Sequence, residues 1–140
     1  FLHSNSPILI QTKNPDRAIL KTLSSDPPNK WYQEELGTRE ALYYPPYCSM
    51  LKLTLWDVSQ ELAIGRLKVV AKHATELTHD QKNVIVTLPF VTNPPIKREK
   101  FGAVLLIKAP LKQTIAIILE KLKLPTGTKI DIDPLTWISS

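Results

Sequence analysis

The residues of this 140-residue chain whose types could do chemistry are few: Cys48, three histidines, the pair Asp131 and Asp133, and a group of lysines between 97 and 129. Cys48 is the only cysteine, so the chain can close no disulfide on itself and has no second thiol for a cysteine-based zinc site. No nucleophile elbow, glycine-rich loop or Walker lysine accompanies it, and the expectation is a half-buried structural thiol in a reducing, cytoplasmic setting. His3, His73 and His79 lie apart with no ligand spacing, so no metal is assigned. Asp131 and Asp133 are two apart in TKIDID, which on a strand turns both carboxylates to one side. Paired carboxylates can bind a divalent cation or divide acid and base roles. Without a third oxygen ligand or a histidine beside them, ion pairs with lysines are the expected use. No catalytic residue is assigned, and the chain is not expected to be an enzyme by itself.

The lysines are more informative. The chain carries 18 Lys and Arg against 13 Asp and Glu, a net charge of +5. Residues 97–129 hold Lys97, Arg98, Lys100, Lys108, Lys112, Lys121, Lys123 and Lys129 against Glu99 and Glu120, a local +6, while the remainder sums to −1. A concentrated positive region suits a polyanion or an acidic partner. It equally suits a solvated surface that serves only solubility, and the two readings stand level until a face can be drawn.

Trp31, Trp56 and Trp137, with Tyr32, Tyr43, Tyr44 and Tyr47, would stack on bases if they lined an open sheet face. The apolar strand FGAVLLIK offers only Phe101, however, and TKIDID offers acids that repel phosphate, so packing in the core or at a joint is the expected use. YYPPY (43–47) lacks the PxxP spacing of a polyproline ligand. It stands where helical periodicity stops and alternation starts, which makes it a rigid joint.

The elements that must position these residues follow from periodicity. PILIQT (7–12) reads as a strand and the segment around AILKTL as a helix. WYQEELGTREAL predicts a second helix, weakened by Gly37 and ended by Pro45. SMLKLTLW alternates, with Leu51, Leu53 and Leu55 on a dry face and Lys52 and Thr54 on a wet one. Residues 57–77 return to helical spacing, with Leu62, Leu67, Val70, Ala74 and Leu77 on one stripe. NVIVTL (83–88) predicts a strand, PFVTNPPIKRE a proline-studded loop, and FGAVLLIK (101–108) a central strand. A helix from Pro110 to about Lys123 faces Ile115, Ile118, Leu119 and Leu122 inward, and TKIDID (128–133) is the last strand.

From residue 49 the order is strand, helix, strand, strand, helix, strand. The fold class is α+β: a ferredoxin-like βαββαβ sandwich over 48–140, preceded over 1–47 by a strand and two linking helices. The longest apolar run, AVLLI, is far too short to span a bilayer, so no membrane partner is expected. Phe1 stands where an initiator methionine would, and FLHSNS has no signal-peptide character, so the chain is expected to be cut from something longer.

Taken together, the pieces resemble the C-terminal region of the PriA family, the primosomal DNA helicases that restart stalled replication forks. ILIQTKNPDRAIL looks like the end of the second helicase lobe. EELGTREALYYPPY is similar to the family's E-L-x-x-R helix running into a tyrosine or leucine, two prolines and an aromatic. VLLIKAP resembles its apolar strand, and IDIDP its terminal D-V-D-P. The four lie in the family's order over residues 8–134.

The resemblance implies a C-terminal domain similar in fold to ribosomal protein S10. The nucleotide-binding and zinc-binding segments would lie upstream, so ATP and zinc would belong to the parent helicase and this chain would hold no cofactor. The implied partners are forked or single-stranded DNA, the acidic tail of single-stranded DNA-binding protein, and the remainder of the helicase. The implied contacts are Lys97, Arg98, Lys100 and Lys112. Two positions depart from the family pattern: Phe101-Gly102 replaces a common Tyr-Arg pair, and Ala116 replaces a glutamine one turn after Lys112. An alternative from a different class is a free-standing RNA- or ribosome-associated protein of the same fold.

Overall fold

The computed structural model describes residues 9–16, 20, 29–97 and 99–134, with residues 29–30 and 93–97 described by their backbone alone. The chain divides into two units, 1–38 and 39–140. In the first, residues 9–16 form no strand: the part of PILIQT within the described residues is irregular, closed by a bond from Asn14 N to Thr12 Oγ1 (3.1 Å). The rest of that segment, and most of the helix predicted around AILKTL, lie outside the described residues. The second predicted helix is α1, Asn29–Ala41.

The second unit is built on a five-stranded antiparallel sheet. After α1 come β1 (Ser49–Asp57), α2 (Gln60–Leu77), β2 (Ile85–Val86), β3 (Phe90–Lys97), β4 (Lys100–Ala109), α3 (Lys112–Lys121) and β5 (Lys129–Ile132). β4 and β1 are the centre, β5 flanks β1, and β2 and β3 both pair with the outer side of β4. The continuous apolar character of FGAVLLIK thus marks a central strand, as its pattern predicts.

One face of the sheet meets the helices. Leu51, Leu53 and Leu55 of β1 and Ala103, Leu105, Ile107 and Ala109 of β4 pack with Ala63, Leu67, Val70, Ala71 and Ala74 of α2 and with Ile115, Ile118 and Leu122 near and on α3. Each large side chain here contributes about 1.5–3 kcal/mol of burial, which pins the register, because a one-residue slip would drive Lys52 and Lys108 into this layer. Ser59 starts α2 as its cap, its Oγ accepting from Leu62 N at 3.2 Å, and Arg66 lies 2.9 Å from Asp57 Oδ2 as an ion pair that ties α2 to β1. Leu62 departs from the predicted stripe: it is 46% exposed, because the inward face of α2 begins with Ala63.

Three further expectations are corrected. PFVTNPPIKRE is a strand for most of its length, not a loop. β3 is an edge strand, where prolines remove no donor the sheet needs, and Pro94 and Pro95 fall in the register shift between Val91 and Ile96. NVIVTL forms only the two-residue β2. Thr87 then joins β4 through its N–H to Leu106 O (3.0 Å) and through its hydroxyl, which accepts from Leu106 N (3.1 Å). The predicted wet face of β1 is covered, with Lys52 2% and Thr54 1% exposed. Tyr44 and Phe90 pack there on Met50, Val104 and Leu106, so alternation reports which side meets the helices and not whether the other meets water.

Candidate nucleic-acid interface

The predicted contact residues fall at two ends of β4. At its start β3 and β4 form a hairpin whose last register pair is Lys97 opposite Lys100, with a two-residue connection between them. Arg98 lies outside the described residues. Glu99, in that connection, has φ +62, a left-handed conformation that costs a side-chain-bearing residue about 1–2 kcal/mol. Two lysines opposite each other repel, and Lys100 is exposed. Lys112 opens α3 just past the other end of β4. Ten residues of strand, about 30 Å at 3.3–3.4 Å per residue, separate the two places. The predicted contacts, close together in sequence, therefore stand in two separate places.

The α3 end is tied up within the protein. Lys112 Nζ stands 3.9 Å from Asp133 Oδ2. The other oxygen of Asp133 accepts from Ser49 Oγ and Met50 N, both at 2.8 Å, and its own N–H donates to Met50 O at 2.7 Å. Farther along the sheet, opposite Thr54 of β1, Lys129 Nζ lies 3.2 Å from Asp131 Oδ2. The carboxylate pair thus forms ion pairs with lysines as expected. Asp133 turns out of the strand at φ +50, which gives the two acids separate partners. Among the described residues no three His, Cys, Asp or Glu side chains come together as a metal site would require.

The joint sits at the same end. Lys108, 8% exposed, donates from Nζ to Leu42 O at 3.1 Å and lies 3.7 Å above the Tyr44 ring. Arg39 donates to Pro45 O at 3.3 Å, and the Pro45–Pro46 bond is cis. Cys48 is buried and donates from Sγ to Tyr43 O at 3.2 Å; burial pushes its thiol pKa up against the pull of Lys108. Burial also lowers the pKa of Lys108, and that of Lys52, where Asp131 partly opposes the shift. This is a packed anchor, and YYPPY lies wholly within the second unit.

At the hairpin end the arrangement differs. Trp56 faces Gly102 across the β1–β4 ladder, and a Cβ at 102 would come within 2.7 Å of both the Trp56 six-membered ring and Thr92 Cγ2. A side chain at position 102 would therefore meet the Trp56 ring from the neighbouring strand. Sequence reasoning missed this partnership because Trp56 and Gly102 are 46 residues apart, and only the register joins them.

No family model matches the chain. Over 128 residues, 90% of the chain, it is 23% identical to the replication restart protein PriA of Borreliella burgdorferi. Over 59 residues, 42% of the chain, it is 34% identical to the replication restart protein PriA of Thermotoga maritima. The chain is related to the PriA family. It spans 19% of the length of the first PriA and the aligned part 8% of the second. The PriA relationship agrees with a small α+β unit, and no described helix is long and apolar enough to cross a membrane.

Proposed function

We propose that this chain is the C-terminal DNA- and partner-binding module of a PriA-type replication restart helicase, with a ferredoxin-like, S10-type arrangement in which β2 and β3 together act as one interrupted edge strand. The module has no catalytic centre of its own; ATP and zinc chemistry belongs to the parent protein, in the cytoplasm. The observation that carries this reading is the hairpin register that sets Lys97 opposite the exposed Lys100 at an edge of the sheet. Repulsion in that pair is relieved when a phosphate chain lies across it. Lys112, at the far end, is a separate contact for the acidic tail of single-stranded DNA-binding protein, and it must exchange Asp133 for the tail.

The test is a titration of forked and single-stranded DNA at several salt concentrations. Binding should weaken steeply with salt, and Lys97→Ala, Arg98→Ala and Lys100→Ala together should lower the log–log slope by about 2–3 at about 0.7–0.9 per phosphate contact. Affinity that ignores salt, or a triple variant that binds like the parent, would remove the hairpin from the interface. An acidic-tail peptide titrated against Lys112→Ala tests the second contact independently.

A further inference from the structure

The face of the sheet away from the helices is covered over most of its length, and the exception lies beside the basic hairpin. Of the nine residues of β1, eight are buried and Trp56 alone is partly open. Its six-membered ring lies over Gly102, held off the backbone by no Cβ and bounded by Thr92. Register places two exposed lysines on the same face around it. Lys100 is two residues before Gly102 on β4, and Lys129 stands opposite Thr54, two residues before Trp56 on β1. Each step is about 7 Å along the strand, so the cations bracket the indole. Asp131, the nearest acid on that face, is paired with Lys129 at 3.2 Å and stands opposite Lys52, and Glu99 occupies the hairpin turn.

A partly open aromatic ring with an exposed lysine on one side and an ion-paired lysine on the other is complementary to a nucleobase carried on a phosphate backbone. Stacked bases inside a duplex cannot reach such a ring, whereas those of a single strand can. We propose that Trp56, seated on Gly102 and flanked by Lys100 and Lys129, is a stacking platform for one base of single-stranded DNA. The proposal rests on the DNA-binding reading above and assigns that site its strand preference. It also gives Gly102 a role: a larger residue there would lift the ring off the sheet.

The experiment compares a dT12 oligonucleotide with an abasic 12-mer of the same charge, at low salt. Trp56 emission, read in a Trp31→Phe, Trp137→Phe background, is quenched by dT12 and not by the abasic strand. Trp56→Leu weakens dT12 binding about tenfold, within the range for loss of one base–aromatic stack. The same change leaves abasic binding within twofold, and Trp56→Phe retains most of the dT12 affinity. Should dT12 and the abasic strand quench alike, or Trp56→Leu weaken both equally or neither, the platform is overturned while DNA binding by the hairpin stands. Should the parent chain bind neither oligonucleotide, the DNA reading itself fails and the platform goes with it. Tighter binding of rU12 than of dT12 would overturn the assignment to DNA.

Discussion

The two ends of the covered sheet face put similar residues to opposite uses. At the joint end a lysine, an aspartate, a thiol and a tyrosine ring answer one another: Lys108 on Leu42 O and Tyr44, Asp133 on Ser49, Met50 and Lys112, Cys48 on Tyr43 O. At the hairpin end Lys100 faces solvent opposite Lys97, and Trp56 is partly open. Buried charges are tolerable only with partners, so the first set is architecture. Like charges set opposite each other gain nothing for the fold, and the use proposed for the second set is contact with an external anion. Counting lysines between 97 and 129 merges two populations that the structure separates.

The sharpest way to break this contrast is at Gly102, the one tight structural demand of the hairpin end. Gly102→Val should destabilise the chain by about 3 kcal/mol in urea denaturation, since the added side chain collides with Trp56 and Thr92. Unchanged stability would mean the ring moves aside freely. Next in size is Asp133→Ala, expected to cost about 2 kcal/mol because the buried Met50 N–H loses its acceptor, whereas Lys100→Ala should stay within about 0.5 kcal/mol. Equal effects at the two positions would erase the distinction between the ends.

A smaller effect of opposite sign is expected at Glu99. Glycine accepts the left-handed conformation without penalty, so Glu99→Gly should add about 1 kcal/mol of stability, read as a higher thermal midpoint. Removing the acid from a basic turn should also tighten DNA binding, and weaker binding would argue against a phosphate site.

The smallest effect concerns the buried lysines. The pKa values of Lys52 and Lys108 are lowered in the folded state, mainly by burial. Between that lowered value and the ordinary lysine value the unfolded chain binds more protons, so stability should rise with pH across that alkaline window. Cys48 acts in the opposite sense, because its raised pKa makes the folded state the better proton binder just above the ordinary thiol value. In a Cys48→Ala background, Lys52→Met should therefore flatten the alkaline rise in urea midpoint, and Lys100→Met should leave it intact.

Much of the fold was legible in periodicity. β1, α2, β4, α3 and β5 lie within a few residues of where the spacing predicts them, because each buries an apolar stripe whose period is its own. β3 was hidden because two prolines read as a loop unless the strand is known to be an edge, and that is a property of the sheet. The ion pairs of Asp131 and Asp133 with lysines were anticipated from charge alone, but not which lysine meets which acid. The burial of Lys52 and Thr54 left no trace in the sequence, because alternation is the same whether the second face of a strand is covered or wet.

The amino-acid sequence by itself determined the element order, the helix-facing layer and the likeness to PriA, since these rest on local spacing and short motifs. Tertiary structure alone decided that the predicted contacts divide between two ends of one strand, that Asp133 pairs with Lys112 at one of them, and that Trp56 meets Gly102. Those outcomes depend on register between strands tens of residues apart, where a shift of one position would exchange every side chain between the faces.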